Sequence, residues 1–408
     1  MGILAEKKSA LWLYSQIVSV NRDPGILNYL TGNKIQFRVF PFLENETRKT
    51  GIELIHKEPV QLNIDGNLIK LGDSLVSAPV IQSPDKNIVY IPAEKKKHLP
   101  KVQREPYYHF IVDISKDKEN LSPEYIRRIE NLLEKKYIDN THAKLSFSNT
   151  YLSPEFTMQR DWKEWFSQQE YKGGFYLDRA IKSILVTSYL QRKDTYPVLI
   201  VVTDSIQNSI IENDFSDFKI TYPESNKFYV LSHSGELLAH SLTFTPKIPL
   251  SDTLPPTFHH TVYAYPDSKN PIAYLDSTNT PQILVKRDIP TIDEKLLKEK
   301  SWNSALYMQG VWNSQVLHPD RHKNKWTDLV KYSFISQIMT PVTSFMVVEN
   351  EAQKALLQKK QEQVLNSNKS LDLDEETQPM SEPGILLILL VLLIFLGIKN
   401  KKLTHLYK

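Results

Sequence analysis

The sequence predicts an α/β fold: a doubly wound sheet with β-rich segments on either side and one transmembrane helix at the C-terminus. Three observations carry this. Tyr107–Ile114 (YYHFIVDI) and Pro197–Thr203 (PVLIVVT) are unbroken apolar runs, the pattern of strands buried on both faces. Helical periodicity at Pro123–Lys136 and Tyr176–Gln191 separates them, with Ala143–Phe147 as a strand between the helices, so strand and helix alternate as in a doubly wound sheet. Ile385–Ile398 (ILLILLVLLIFLGI) carries no charge, and a helix built from it is apolar on every face.

Along the chain, Lys7–Val20 spaces Leu11, Tyr14, Ile17 and Val18 on one helical face, and Asn21–Pro24 stops it. Ile35–Phe42 alternates as a strand, Ile52–Lys57 reads as a second short strand, and Val60–Leu71 reads as a hairpin around Asp65-Gly66. Ser83–Lys101, rich in Pro and Lys, reads as a connection between domains. Within the α/β region Ile126, Ile129, Leu132 and Leu133 mark the inward face of one helix, Ala180, Ile184 and Leu185 that of the next, and Lys227–Leu231 is a further strand. His240–Arg287 alternates as more β structure, with His259 and His260 in a strand. Short helices are expected at Ile292–Lys300 and Ser304–Gly310, a longer one at His322–Ile338, a strand at Met346–Val348 and a charged helix at Glu349–Val364. Asn366–Pro379, polar and without aromatics, reads as a stalk. The resulting division is 1–82, a linker at 83–104, an α/β domain at 105–235, a β-rich and helical region at 236–348, helix and stalk at 349–379, and a tail at 380–408.

At 408 residues the chain has room for two or three domains. Fifty basic residues stand against 47 acidic ones, a net charge of +3, so no broad field favours nucleic acid. The Lys-rich stretches Lys95–Lys97 and Lys354–Lys360 lack interleaved aromatics and read as solvated surface. With no cysteine there is neither disulfide nor thiolate chemistry. No G-x-S-x-G elbow or Gly-rich phosphate loop occurs, and His318–His322 reads as a turn into a helix, so no nucleophile–base pair emerges and the expectation is a protein that is not an enzyme.

One constellation stands out. Asp113, Ser115 and Asp117 follow the first buried strand, and Asp204 follows a later one. In a doubly wound sheet such positions converge at the carboxyl ends of the strands, and converging oxygen ligands suit Mg²⁺ or another hard divalent cation. The pattern resembles a von Willebrand A domain with its metal-dependent adhesion site. Asp113 and Ser115 match the D-x-S-x-S motif, Asp117 takes its third position, and Asp204 fits the later Asp. The loop Gly173-Gly174-Phe175 has Phe175 where the family has a ligand Thr. The resemblance implies a protein ligand held at a metal rim.

Two further stretches extend the likeness. Asn21–Leu54 resembles the second half of a VIT domain, through the RDP stop, the Gly32-Asn33 turn, the FRVFPF strand and the segment Glu46–Arg48. Its first half has no counterpart, so the chain reads as truncated at the N-terminus, with an unpaired strand edge. Ser333–Glu349 resembles the closing segment of proteins that join a VIT domain to a von Willebrand A domain.

The tail places Met380-Ser381-Glu382-Pro383 before the apolar run and Lys399, Lys401, Lys402 and Lys408 behind it. Cationic flanks prefer the cytoplasmic side, which puts the bulk of the chain outside the cytoplasm. The run at about 1.5 Å per residue spans roughly 21 Å, short of a bilayer core of about 30 Å, unless thinning or snorkelling lysines close the gap. The arrangement resembles the MSEP-CTERM type of sorting signal recognised by exosortases, whose motif precedes a single membrane helix and is the processing site. A plain tail anchor is the alternative reading of the same residues. The N-terminal stretch Met1–Val20 has no apolar core of signal-peptide length, which leaves either a missing beginning or post-translational insertion of the tail. The combined resemblance, to exosortase-associated VIT proteins, implies a non-catalytic binding scaffold of the bacterial cell envelope, single-pass in the inner membrane, with membrane, exosortase and a protein ligand as partners. The alternative is a tail-anchored assembly protein on the cytoplasmic face.

Overall fold

A computed structural model describes residues 2–366, apart from 20–23, 40–44, 46, 48, 50, 58, 65, 73–78, 84–85, 137–141, 159–160, 192–193, 252–257, 286–291, 319–325 and 349. In chain order the elements are β1 (Ile3–Glu6), α1 (Lys7–Ser19), β2 (Gly25–Leu30), β3 (Lys34–Val39), β4 (Val60–Ile64), β5 (Asn67–Leu71), β6 (Ile81–Gln82), β7 (Ile88–Ile91), α2 (Ala93–Lys96), β8 (Lys101–Gln103) and β9 (Glu105–Asp113). Then come α3 (Ser122–Lys136), β10 (Ala143–Ser148), β11 (Phe156–Thr157), α4 (Glu164–Ser167), α5 (Leu177–Gln191), β12 (Thr195–Val202), β13 (Lys227–Leu231) and β14 (Leu237–Ser241). The chain continues through β15 (Thr261–Tyr265), β16 (Ala273–Leu275), β17 (Gln282–Val285), α6 (Glu294–Lys298), α7 (Trp302–Leu317), α8 (Trp326–Ser336), β18 (Thr343–Val347) and α9 (Glu351–Asn366). Helices and sheets are mixed throughout: the fold is α/β.

The central sheet has six strands in the order β11-β10-β9-β12-β13-β14. β10, β9, β12 and β13 are parallel neighbours, and the two edge strands run antiparallel. The apolar runs explain which strands are central: β9 and β12 are buried along most of their length, and Phe110, Ile111, Val112 and Leu199–Val202 form the middle of the main core. The crossover from β9 through α3 to β10 moves one way along the sheet, and that from β10 through α5 to β12 moves the other way. Right-handed crossovers therefore set α3 and α5 on opposite faces. α3 turns Tyr125, Ile129 and Leu132 inward, and α5 turns Leu177, Ala180, Ile181, Ile184 and Leu185 inward.

The N-terminal sheet has the order β1-β18-β2-β3, antiparallel throughout. β18, from the far end of the described chain, lies between β1 and β2. Its Met346 joins Ala5, Ala10, Leu13, Ile17, Ile26 and Leu357 in a small core beneath α1 and α9. β4 and β5 pair as the expected hairpin. This sheet meets the central domain at Gly32, whose N–H donates to Asp217 Oδ1 at 3.1 Å, and at Lys34, which pairs with Asp214 at 2.8 Å.

Several expectations are corrected. Residues 52–57 form no strand: among Ile52, Glu53, Leu54, Ile55, His56 and Lys57 the apolar side chains find no buried face. The stretch 83–101, expected to be an open connection, contains β7, and all four of its residues are buried. β7 pairs with β17, and its Val89 and Ile91 share a core with Tyr263, Tyr265, Leu275 and Leu284, while the more exposed β8 pairs with β15. Lys96, expected as solvated surface, is fully buried. The helix expected over Ser304–Gly310 spans Trp302–Leu317: the capping box of Ser301 and Ser304 sets its start, and Gly310 is buried within it. His259 and His260 precede β15 rather than lying in it. No helix among the described residues is long and apolar enough to cross a membrane. Of the stalk expected at Asn366–Pro379, Asn366 ends α9 and the rest falls outside the described residues, as do the motif Met380–Pro383, the transmembrane run 385–398 and most of His318–His322.

Candidate functional site: the carboxyl-end rim of the central sheet

β9 and β12 are adjacent and parallel, so their carboxyl ends open on the same rim. β9 ends in Asp113, and β12 is followed by Thr203 and Asp204. Asp113 and Thr203 are each 2 % exposed. Asp113 Oδ1 accepts the Ser115 N–H at 2.9 Å, and Oδ2 accepts the Thr203 hydroxyl at 2.8 Å. The same hydroxyl lies 3.4 Å from Asp204 Oδ1. The two acids thus lie on either side of the Thr203 hydroxyl, whose one proton goes to Asp113.

The other predicted positions differ. Ser115 is buried, and its N–H is committed to Asp113. Asp117 is exposed at the corner of a tight turn, in the left-handed region with φ 66°. The Lys118 N–H closes that turn on the Ser115 carbonyl at 3.3 Å. The turn brings the next side chain onto the rim, and Lys118 Nζ donates to Asp204 Oδ2 at 2.6 Å. Burial pushes the Asp204 carboxyl up, but the Lys118 ammonium together with the backbone N–H groups of Asp204 and Ser205 holds it below the usual carboxylate range. Phe175 is 2 % exposed and belongs to the main core, while the Gly173 carbonyl accepts the Lys116 N–H at 3.0 Å. The Gly-Gly-Phe loop therefore braces the rim without offering it a side-chain ligand.

A second cation lies beneath. Arg128, 1 % exposed, donates to the Thr203 carbonyl at 3.0 Å and to the Leu231 carbonyl at 2.9 Å, joining the ends of β12 and β13. Its guanidinium stacks over the Tyr125 ring at 4.9 Å. Burial, reinforced by the charges of Asp113 and Asp204, pushes the Tyr125 hydroxyl well above its ordinary range. Glu124, near Arg128, also pairs with the exposed His233.

The residues present do not fit a divalent ion. Both oxygens of Asp113 hold protein donors, Asp204 holds an ammonium, and Asp117 stands apart. No group of three or more His, Cys, Asp or Glu residues that could hold a metal occurs among the described residues. Thr203, Lys118 and Arg128 were missed at the level of sequence. Arg128 had a visible signal: it is the charged member of the inward face Tyr125, Ile129, Leu132. Lys118 had a weaker one, directly after the acid at the third motif position.

Among its described residues the rim holds no catalytic pair. His109 Nε2 and Ser146 Oγ approach to 3.0 Å, but both residues are 1 % exposed on neighbouring central strands, sealed from any substrate.

No protein-family model matches this chain, and no curated protein matches it. Among the solved structures that match is the pilus adhesin SpaC from Lactobacillus rhamnosus GG in its open conformation. It is 11 % identical, the match covers 43 % of this chain and 26 % of that one, and the TM-score is 0.20. This chain thus spans about a quarter of that adhesin, and a likeness at this score carries no argument.

Proposed function

We propose that this chain is a non-catalytic, membrane-held scaffold of the bacterial cell envelope. A von Willebrand A-like body flanked by VIT-like strands presents the carboxyl-end rim to a protein partner. The segment 380–408 is an MSEP-type sorting signal, read by an exosortase, with 385–398 as the single helix in the inner membrane. The observation that carries the binding role is the rim itself. Asp113, Thr203, Asp204 and Lys118 are converged and held by one another. Asp113 and Thr203 are buried and brace the partly exposed Asp204 and Lys118, the pair that a partner would meet. The acids at the ends of adjacent parallel strands support the A-like reading, and the order of motif, apolar run and lysines supports the tail reading.

C-terminal peptide mass analysis of protein from native membranes tests the tail. A terminus at or near Met380–Pro383 is the expected result. An intact Lys408 would remove the sorting signal from the account and leave a permanent anchor.

A further inference from the structure

We propose that Lys118 is the resident cation of the rim, standing in for a divalent ion and closing the site to metal. The geometry is a continuous chain of contacts. The ammonium holds Asp204 Oδ2 at 2.6 Å, Thr203 Oγ1 reaches Asp204 Oδ1 at 3.4 Å, and the same hydroxyl holds Asp113 Oδ2 at 2.8 Å. An ion bridging these oxygens would need them free and roughly octahedral. Here Asp113 Oδ2 takes the one proton of the Thr203 hydroxyl and Asp204 Oδ2 takes the ammonium, and the Lys118 side chain is only 15 % exposed.

The backbone explains how a lysine came to this place. The turn from Ser115 to Lys118 puts its left-handed corner at Asp117. Asp tolerates that conformation better than most residues. A carboxylate that would have been a third ligand is committed to the turn, and the residue after it is delivered to the rim. The charges agree with the geometry. Lys118 already pairs with Asp204, and Arg128, itself beside Glu124, reaches the Thr203 carbonyl, so an added divalent ion would meet two resident cations in a largely buried place. The inference holds whatever the rim binds.

Removing the ammonium should therefore create a metal site from Asp113, Ser115, Thr203 and Asp204. The test compares the full-length chain in detergent with its Lys118→Ala variant, titrated with Mn²⁺ and Mg²⁺, reading thermal stability and direct Mn²⁺ binding. The unaltered protein should show neither binding nor a shift in Tm. Lys118→Ala should bind Mn²⁺ saturably with a rise of a few degrees in Tm, and adding Asp204→Asn should remove both effects. Mn²⁺ binding by the unaltered protein that is lost in Asp113→Asn would overturn the proposal, as would a folded Lys118→Ala variant that gains nothing. Should the alanine variant fail to fold, Lys118→Gln, which keeps the stem, is measured in the same way: saturable Mn²⁺ binding supports the proposal, and its absence overturns it.

Discussion

At the scale of single residues, Lys96 and Asp276 carry a buried charge pair that joins α2 to the end of β16. Nζ and Oδ1 are 2.8 Å apart, and the two side chains are 0 % and 5 % exposed. Lys219 reaches the other carboxylate oxygen at 3.0 Å, and Thr278 adds a hydrogen bond through its N–H at 2.9 Å. Burial pushes the Asp276 carboxyl up, but Lys96, Thr278 and Lys219 together hold it below the ordinary carboxylate range. A depressed carboxylate stabilises the fold above its unfolded pKa, about 3.9, and that contribution is lost as pH falls through the folded value. Lys96→Met strips one partner from a buried charge, a change that costs about 3–5 kcal/mol when nothing else compensates; Lys219 keeps the loss near the lower end. Urea unfolding at pH 7 should show that deficit, and it should shrink in strong acid, where Asp276 is protonated in both proteins. An equal deficit at both pH values would mean that Lys96 acts through packing alone. The sequence marked Lys95–Lys97 only as a charge run; which lysine turns inward depended on Asp276, 180 positions away, and no local pattern records that. Asp113 and Asp204 were legible because each ends an apolar run, whereas Lys118 was not, because its role depends on the handedness of a turn.

At the scale of elements, the parallel strands were legible because burial on both faces leaves an unbroken apolar signature, as in β9 and β12. Short strands were not. β7 is four residues among prolines and lysines, and its partner β17 lies far along the chain. The N-terminal sheet depends on a similar long-range closure, with β18 supplying the strand between β1 and β2. That sheet is fixed to the central domain through a turn that favours glycine. Gly32 has φ 72°, and a Cβ there would lie 2.7 Å from the Ser216 Cβ. Gly32→Ala adds left-handed strain of about 1–2 kcal/mol to an overpacking cost of about 1–3 kcal/mol. Thermal unfolding should show the sum as a drop in Tm of several degrees, and Ser216→Gly in the same chain should recover only the steric part. A Gly32→Ala variant as stable as the unaltered protein would mean that the contact between sheet and domain is loose.

At the scale of the whole molecule, the described residues form an α/β body, and the envelope location proposed for it rests on the sequence of the tail. The α/β class followed from periodicity alone. The membrane reading followed from composition alone, since a run of Leu, Ile, Val and Phe with lysines behind it has few other physical destinations. The proposed scaffold role requires that the body face away from the cytoplasm. The chain has no cysteine, so a single introduced thiol reports its own location without background. Tyr151 is 76 % exposed and suits the purpose. Tyr151→Cys, expressed in the native host, would be treated with a membrane-impermeant maleimide in intact spheroplasts and again after lysis. Full labelling before lysis is the expected result. Labelling that appears only after lysis would place the body in the cytoplasm and contradict the envelope scaffold outright.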